Sequence, residues 1–204
     1  MEKTTLPHDP YNVIITGVGG QGNVLASKVL GNILVAKGMD ITIGETFGAT
    51  QRGGSVMSHL RISAVSSWSP QIPRGMAHVV IALEPIEALR VLSDYGNPET
   101  LVISNDRPVY PVGVIRGEMD YPEEAALRER LKTFSRTLVL IPATDEAVKL
   151  GAPILANIIL LGVLAGTGVL AFDRNHFSRV ISRMMPPERV EINMKAFDVG
   201  MRMI

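Results

Sequence analysis

Two glycine-bearing turns hold the residue types that could do chemistry in this chain. In the first, Asn12-Val-Ile-Ile-Thr-Gly17-Val18-Gly19-Gly20-Gln21-Gly22 runs straight into an amphipathic stretch at Asn23–Lys37. Gly17, Gly19 and Gly22 have the G-x-G-x-x-G spacing, which lets a backbone turn sharply, approach a pyrophosphate closely and pack a helix on a sheet. A ligand phosphate would then sit at the positive end of the helix dipole. The same glycines can also close a strand–helix corner with no ligand at all, so the elbow alone leaves both readings open. Glu45, at the end of the next strand-like run, stands about where a nucleotide fold places a ribose-binding acid, although a glutamate there is equally at home in solvent.

The second turn is Thr46-Phe47-Gly48-Ala49-Thr50-Gln51-Arg52-Gly53-Gly54-Ser55. Arg52 offers a fork of donors for a phosphate or carboxylate, Gln51 an amide, and Gly53-Gly54 exposed backbone N–H groups. A structural turn with a solvated arginine is the alternative. Binding is favoured because loops at the carboxyl ends of parallel strands line the ligand edge of an open α/β sheet, so both glycine turns would share one rim.

No catalytic set accompanies them. His8, His59, His78 and His176 are scattered, with no pair at metal-ligand spacing, and no nucleophile elbow contains serine. The carboxylate pairs Glu84/Glu87 and Glu123/Glu124 fall on helices rich in charge and are read as solvated faces. The 10 methionines, several of them between Met184 and Met203, are adaptable apolar surface for a core or a partner.

The elements that must position these turns alternate between strand-like and helix-like, which is the pattern of an α/β fold. Strands are expected at Val13–Thr16, Asp40–Gly44, Ser55–Ser63, His78–Leu83, Leu101–Ser104 and Leu138–Ile141. Helices are expected at Asn23–Lys37, with Leu25, Val29, Ile33 and Ala36 near one face, and then at Pro85–Leu92, Pro122–Ser135 and Thr144–Leu150, the last capped by Thr144. Asp173 is expected to cap a helix as far as Met184, and a final helix covers Glu188–Met203. Ser55–Ser63 alternates cleanly, but the face carrying Met57, His59, Arg61 and Ser63 is half polar, which suggests a place near an edge or an interface. Asp106–Tyr121, rich in proline, glycine and valine, reads as a short hairpin or an extended excursion.

Composition narrows the function classes. With 204 residues and 46% hydrophobic content the chain is expected to form a single domain, residues 1–204, around one substantial core. Lys+Arg and Asp+Glu are both 20, so no global field draws in nucleic acid or an anionic membrane. The cysteine count is 0, which removes disulfides, thiolate nucleophiles and iron–sulfur ligation. Any redox centre would have to be borrowed. Met1–Pro10 lacks the apolar core of a secretory signal, so a cytoplasmic location is expected. Leu150–Phe172 carries no charge and is long enough to cross a bilayer, but five residues interrupt it: Gly151, Pro153, Gly162, Gly166 and Gly168. A buried or partner-facing helix around Ile154–Ala165 is favoured over a membrane span.

Taken together, five motifs resemble the gamma-type domain of 2-oxoacid:ferredoxin oxidoreductases, and most nearly the separate beta subunit of the indolepyruvate enzymes. They are Gly17-Val-Gly-Gly-Gln-Gly22, Gly48-x-x-Gln51-Arg52-Gly53-Gly54-Ser55-Val56, Glu84-Pro85-x-Glu87-Ala88, Asn157 with Leu161-Gly162, and Asn193-x-x-Ala196-Phe197-x-x-Gly200. The resemblance spans about residues 12 to 200. It implies a Rossmann-like, mostly parallel sheet with helices on both faces, in an accessory subunit that holds no cofactor of its own. A larger partner subunit would carry thiamine diphosphate and iron–sulfur clusters, decarboxylate an arylpyruvate and pass electrons to ferredoxin, in a hetero-oligomer. Gly19, Gly20, Gln21, Gly22, Gln51, Arg52, Gly53, Gly54 and Ser55 are the residues it sets against coenzyme A, the thiamine site or the partner chain. Two other readings stand beside it: an independent NAD(P)-binding reductase or sensor, resting on the elbow and Glu45, and the gamma subunit of a pyruvate or 2-oxoglutarate enzyme.

Overall fold

The computed structural model describes residues 6–48 and 54–204, and builds them into one six-stranded sheet with helices on both faces. The strands are β1 (Tyr11–Val18), β2 (Asp40–Phe47), β3 (Ser55–Ser63), β4 (Val79–Ala82), β5 (Leu101–Asn105) and β6 (Thr137–Ile141). Their order is β2-β3-β1-β4-β5-β6. β1, β4, β5 and β6 pair in parallel, while β3 runs antiparallel to both β1 and β2. The mostly parallel α/β architecture is therefore as expected, with one reversed strand.

The helices are α1 (Asn23–Ala36), α2 (Pro85–Tyr95), α3 (Val112–Ile115), α4 (Glu124–Thr133), α5 (Ala143–Lys149), α6 (Ala156–Thr167), α7 (Arg174–Met184) and α8 (Pro187–Met201), with a 3-10 turn at Pro153–Leu155 before α6. Two cores flank the sheet, because alternate strand residues point to opposite faces. On one side Val13, Ile15, Leu60 and Ile81 pack with α1, α6, α7 and α8. On the other, Ile14, Val80 and Val102 meet Ala88, Val91 and Leu92 of α2 and Leu127 and Leu131 of α4.

Several expectations need correction. β3 sits beside the edge strand β2, near an edge as expected, but its polar face is covered: His59, Arg61 and Ser63 are all buried. The polar groups of His59, Arg61 and Ser63 are met mainly by an irregular strap, residues 64–77, while the buried Ser58 Oγ has no partner among the described residues. The Arg61 guanidinium donates to the Ser69 and Gln71 carbonyls and to Asn12 Oδ1, with Trp68 stacked 4.9 Å away, and His59 Nδ1 accepts from the Ile72 amide. Of the two alternatives for Asp106–Tyr121 the structure has the excursion and no hairpin: it is irregular, with the single turn of α3, in which no residue is buried, and a turn and bend at 116–119. Thr144 does not cap α5. It sits inside the first turn and bonds Asn105 through its amide and its hydroxyl instead. Ala36 is exposed, and Leu30 and Leu34 join Val29 and Ile33 on the buried face of α1.

The apolar stretch becomes α6, a 12-residue helix with every residue from Ala156 to Ala165 buried. No helix among the described residues is long and apolar enough to cross a membrane. Its glycines serve close packing against α8. A Cβ on Gly162 would overlap the Phe197 carbonyl, and one on Gly200 would overlap the Ile159 carbonyl. Leu161-Gly162 and Ala196-Phe197-x-x-Gly200 are thus the two sides of one helix crossing.

Candidate functional site

β1 and β4 are parallel neighbours whose connections leave in opposite directions, β1 through α1 toward the β2 edge and β4 through α2 toward β5. The carboxyl ends of two such strands open a crevice where ligands of open α/β sheets bind. The first glycine turn lines that crevice. Gly20 (φ 102°) and Gly22 (φ 83°) occupy left-handed backbone that a side chain would strain, which is why the turn needs glycine there. No side chain caps α1, and its first turn holds no acid, so the positive end of its dipole is left uncompensated.

Gln21 spans the crevice. Its Oε1 accepts from the Val18 amide at 2.8 Å and its Nε2 donates to the Leu83 carbonyl at 3.0 Å, stapling the end of β1 to the end of β4. A Cβ on Gly17 would come within 2.6 Å of that Oε1, so Gly17 makes room for the staple. Asn157 Nδ2 donates to the Gly22 carbonyl, and a side chain at Gly22 would collide with it. The motif residue on α6 therefore braces the elbow from behind.

The second turn meets the first directly. The Gly19 amide donates to the Gly54 carbonyl at 2.8 Å, and the Gly48 amide to the Ser55 carbonyl at 2.7 Å. Register places Ser55 opposite Val18 and Val56 opposite Phe47, so both turns rise from the same end of the sheet. The shared rim expected from sequence is present at its base. Gln51, Arg52 and Gly53 lie outside the described residues; Gly19, Gly20, Gln21, Gly22, Gly54 and Ser55 are brought together. A cavity of about 240 Å³ opens beside Gly20 and Gln21, closed by Arg107, Val109, Thr144 and Ile154.

Glu45 does not join them. It is exposed on the edge strand β2, paired with Ser58, and β3 separates it from β1. In a dinucleotide fold the acid works because its strand is the elbow's direct neighbour. The inserted antiparallel strand removes that geometry, and with it the ribose role expected for Glu45.

Sequence reasoning missed the two acids at the start of α2. Glu84 and Glu87 are 0% and 3% exposed, not a solvated face. Glu84 caps α2, its Oε2 accepting from the Glu87 amide at 2.9 Å, while its Oε1 accepts from the Tyr121 hydroxyl at 2.5 Å and the Val109 amide at 3.4 Å. Glu87 Oε2 accepts from Ser55 Oγ at 2.6 Å and Oε1 from Arg90 at 2.8 Å. The signal was Glu-Pro-x-Glu itself, since an acid just before a proline is well placed to cap the helix that the proline begins. Burial lifts the Glu84 carboxyl above its usual range; the Tyr121 hydroxyl and the Glu87 and Val109 amides pull it back, and the neighbouring Glu87 charge pushes it up. Tyr121 is driven upward in turn, first by its own burial and then by Glu84.

Beside this clamp lies a second cavity of about 320 Å³, lined by Pro85, Tyr110, Tyr121, Leu127 and Leu140 together with the acids Asp106 and Glu124. His59 and His78 each use Nδ1 to accept from a backbone amide. His78 Nδ1 accepts from the Asn12 amide between the stacked rings of His8 and Tyr11, and burial together with His8 lowers it to about 4. Among the described residues no cluster of three metal-ligating side chains occurs.

The model of the family described as pyruvate ferredoxin/flavodoxin oxidoreductase matches residues 12–203, and the chain belongs to that family. It is 35% identical over 193 residues to the indolepyruvate oxidoreductase subunit IorB of Pyrococcus horikoshii, covering 94% of this chain and 95% of that protein. To the 2-oxoglutarate synthase subunit KorC of Methanothermobacter marburgensis the identity is 28% over 194 residues, covering 93% and 94%. The fold matches a solved 2-oxoglutarate:ferredoxin oxidoreductase from Magnetococcus marinus, which holds 2-oxoglutarate, coenzyme A and succinyl-CoA, with a TM-score of 0.73 at 19% identity. That match covers 96% of this chain and 31% of the other.

Proposed function

We propose that this chain is the accessory subunit of an indolepyruvate-type 2-oxoacid:ferredoxin oxidoreductase, a cytoplasmic enzyme that decarboxylates an arylpyruvate oxidatively and releases an aryl-acetyl coenzyme A. The observation that carries the reading is the near full-length match to IorB at 35% identity, against 28% to KorC. The larger partner subunit supplies thiamine diphosphate and iron–sulfur clusters, since a chain with 0 cysteines has no thiolate for a cluster. Electrons leave through that partner to ferredoxin, and this chain alone has no activity.

Its own contribution is the glycine rim, offered to coenzyme A. Gly19, Gly20 and Gly22 present backbone at the start of α1, Arg52 and Gln51 add side-chain donors, and Gly53, Gly54 and Ser55 complete the edge. The 240 Å³ cavity is below the roughly 300–1,000 Å³ of a full small-molecule site, so it suits one phosphate-bearing part of the ligand, with the rest along the rim and against the partner. Exposed apolar residues on the same end of the sheet, among them Phe47, Val112, Ile115 and Ile154, support a subunit contact there. Co-purification with the large subunit, and ferredoxin reduction dependent on both chains, an arylpyruvate and coenzyme A, tests the proposal. Reduction by the large subunit alone at the full rate would refute it.

A further inference from the structure

The segment Asp106–Tyr110 borders both cavities, with alternate residues on each. Arg107 and Val109 line the one beside Gly20, whereas Asp106, Pro108 and Tyr110 line the one of about 320 Å³ near the start of α2. That volume is at the small end of the roughly 300–1,000 Å³ of ligand pockets, so it suits a molecule of one or two rings rather than a nucleotide. Leu127, Leu131 and Leu140 give it an apolar lining. The rings of Tyr110 and Tyr121 meet edge to face, with centroids 5.1 Å apart and planes at 88°. Tyr121 is fixed by its hydroxyl, which donates to the buried Glu84 at 2.5 Å.

Charge on this lining is one-sided. Asp106, Glu123 and Glu124 supply carboxylates against the single guanidinium of Arg128. Glu123 and Glu124 begin α4, where the helix dipole favours an acid. No such account covers Asp106. Its amide donates to the Ile141 carbonyl at 2.9 Å, which holds it half-buried just beyond β5. Burial, and then the charges of Asp145 and Glu124, raise its carboxyl above the usual range, while its own amide and Arg107 pull it back. Arg107, however, is engaged by Asp145 at 3.2 Å. Among the described residues no cation forms an ion pair with Asp106, and the groups around it are those that a cation with an apolar body would satisfy: a carboxylate, two tyrosine rings and leucine side chains.

We propose that this cavity is a binding site for an arylalkylammonium ion, a primary amine on a short chain that carries one or two aromatic rings. The ammonium pairs with Asp106 beside the tyrosine rings, and the aryl group lies against the leucines. An aryl carboxylate of the same shape, which has the charge of a 2-oxoacid, is turned away by the surplus of acids. The site is separate from the glycine rim and does not depend on what the rim binds.

The test titrates the full chain with 2-phenylethylamine, 3-phenylpropionate and methylammonium, read by calorimetry and by amide resonance shifts. The arylalkyl amine is expected to bind with a Kd of about 1 mM or below and to shift residues 106–110 and 121–131. The propionate has the ring with the opposite charge and methylammonium has the charge without the ring; each is expected to bind at least about tenfold more weakly. Asp106→Asn keeps the shape and removes the charge, and should weaken the amine about tenfold. Tyr110→Ala, a change at an exposed ring, should weaken it about threefold or more, and reads the same site if Asp106→Asn does not fold. No saturable binding of the amine at about 10 mM overturns the proposal. Equal affinity for the propionate, shifts confined to other segments, or an affinity unmoved by both variants overturns it as well.

Discussion

Buried carboxylates are costly unless every oxygen is bonded, and the start of α2 shows how that cost is met. Glu84 has three donors, of which the Tyr121 hydroxyl is the nearest. Tyr121→Phe removes it and leaves a buried oxygen with only the distant Val109 amide; a loss of about 1–3 kcal/mol in denaturant unfolding is expected. Glu84→Ala removes the helix cap as well, worth about 1 kcal/mol by itself, and orphans the tyrosine. The two changes should couple in a double-mutant cycle by about 0.5–3 kcal/mol, whereas additive losses would show that the bond contributes nothing. His78 gives a prediction in pH. Its folded value of about 4 lies below the ordinary 6.5, so between these values the unfolded chain binds the proton and the folded chain does not. Stability is full above pH 6.5 and falls as pH drops toward 4. His59, lowered by burial, adds a slope of the same sign, while the raised Glu84 opposes it by favouring the folded state as its carboxyl protonates. His78→Gln should flatten the stability profile between pH 6.5 and 4, measured by urea midpoints across that range.

Among the elements, the crossing of α6 and α8 is the least forgiving. Gly200→Ala places a methyl group on the Ile159 carbonyl, backbone against backbone, so neither side can yield by changing rotamer. Overpacking of this kind costs typically 1–3 kcal/mol and sometimes more, which exceeds the roughly 1 kcal/mol that alanine gains over glycine in a helix. Gly166→Ala meets the Met201 carbonyl at 3.3 Å and is the matched control, expected to lose less than about 1 kcal/mol. Thermal unfolding of the two variants side by side decides it, and equal losses would contradict the crossing. Local signals of this sort were legible in the sequence. The β1–elbow–α1 unit, the proline start of α2 and the interrupted apolar run of α6 all follow from spacing and composition. What escaped was long-range. The cover over the polar face of β3 could not be seen because the strap 64–77 has no periodicity of its own, and Glu84 and Glu87 looked solvated because their partners Tyr121 and Ser55 lie 37 and 32 residues away. The rim was legible as two turns at one sheet end, but the staple made by Gln21 depends on the position of Leu83, which no local pattern specifies.

On the scale of the whole molecule, charge and exposed apolar surface are distributed differently. Net charge is +0, so little long-range steering is available to bring a partner in, while α3 carries Val112 and Ile115 at 62% and 73% exposure with no buried residue. A single helical turn with nothing fully buried gains little tertiary stability from packing, and its two exposed aliphatic side chains, Val112 and Ile115, contribute little to this chain's own fold. In the proposed assembly they meet the large subunit, where burying an aliphatic side chain yields about 1.5–3 kcal/mol. Val112→Lys combined with Ile115→Lys should therefore leave the isolated chain's thermal midpoint within a degree or two of the parent and weaken subunit association at least a hundredfold, since two aliphatic contacts are lost and two charges must be desolvated. Association of the parent chain should vary little between low and moderate salt, as expected of an apolar contact rather than an ionic one. Analytical ultracentrifugation of the two subunits across a salt series measures both effects. Undiminished assembly of the double lysine variant would move the subunit contact away from α3.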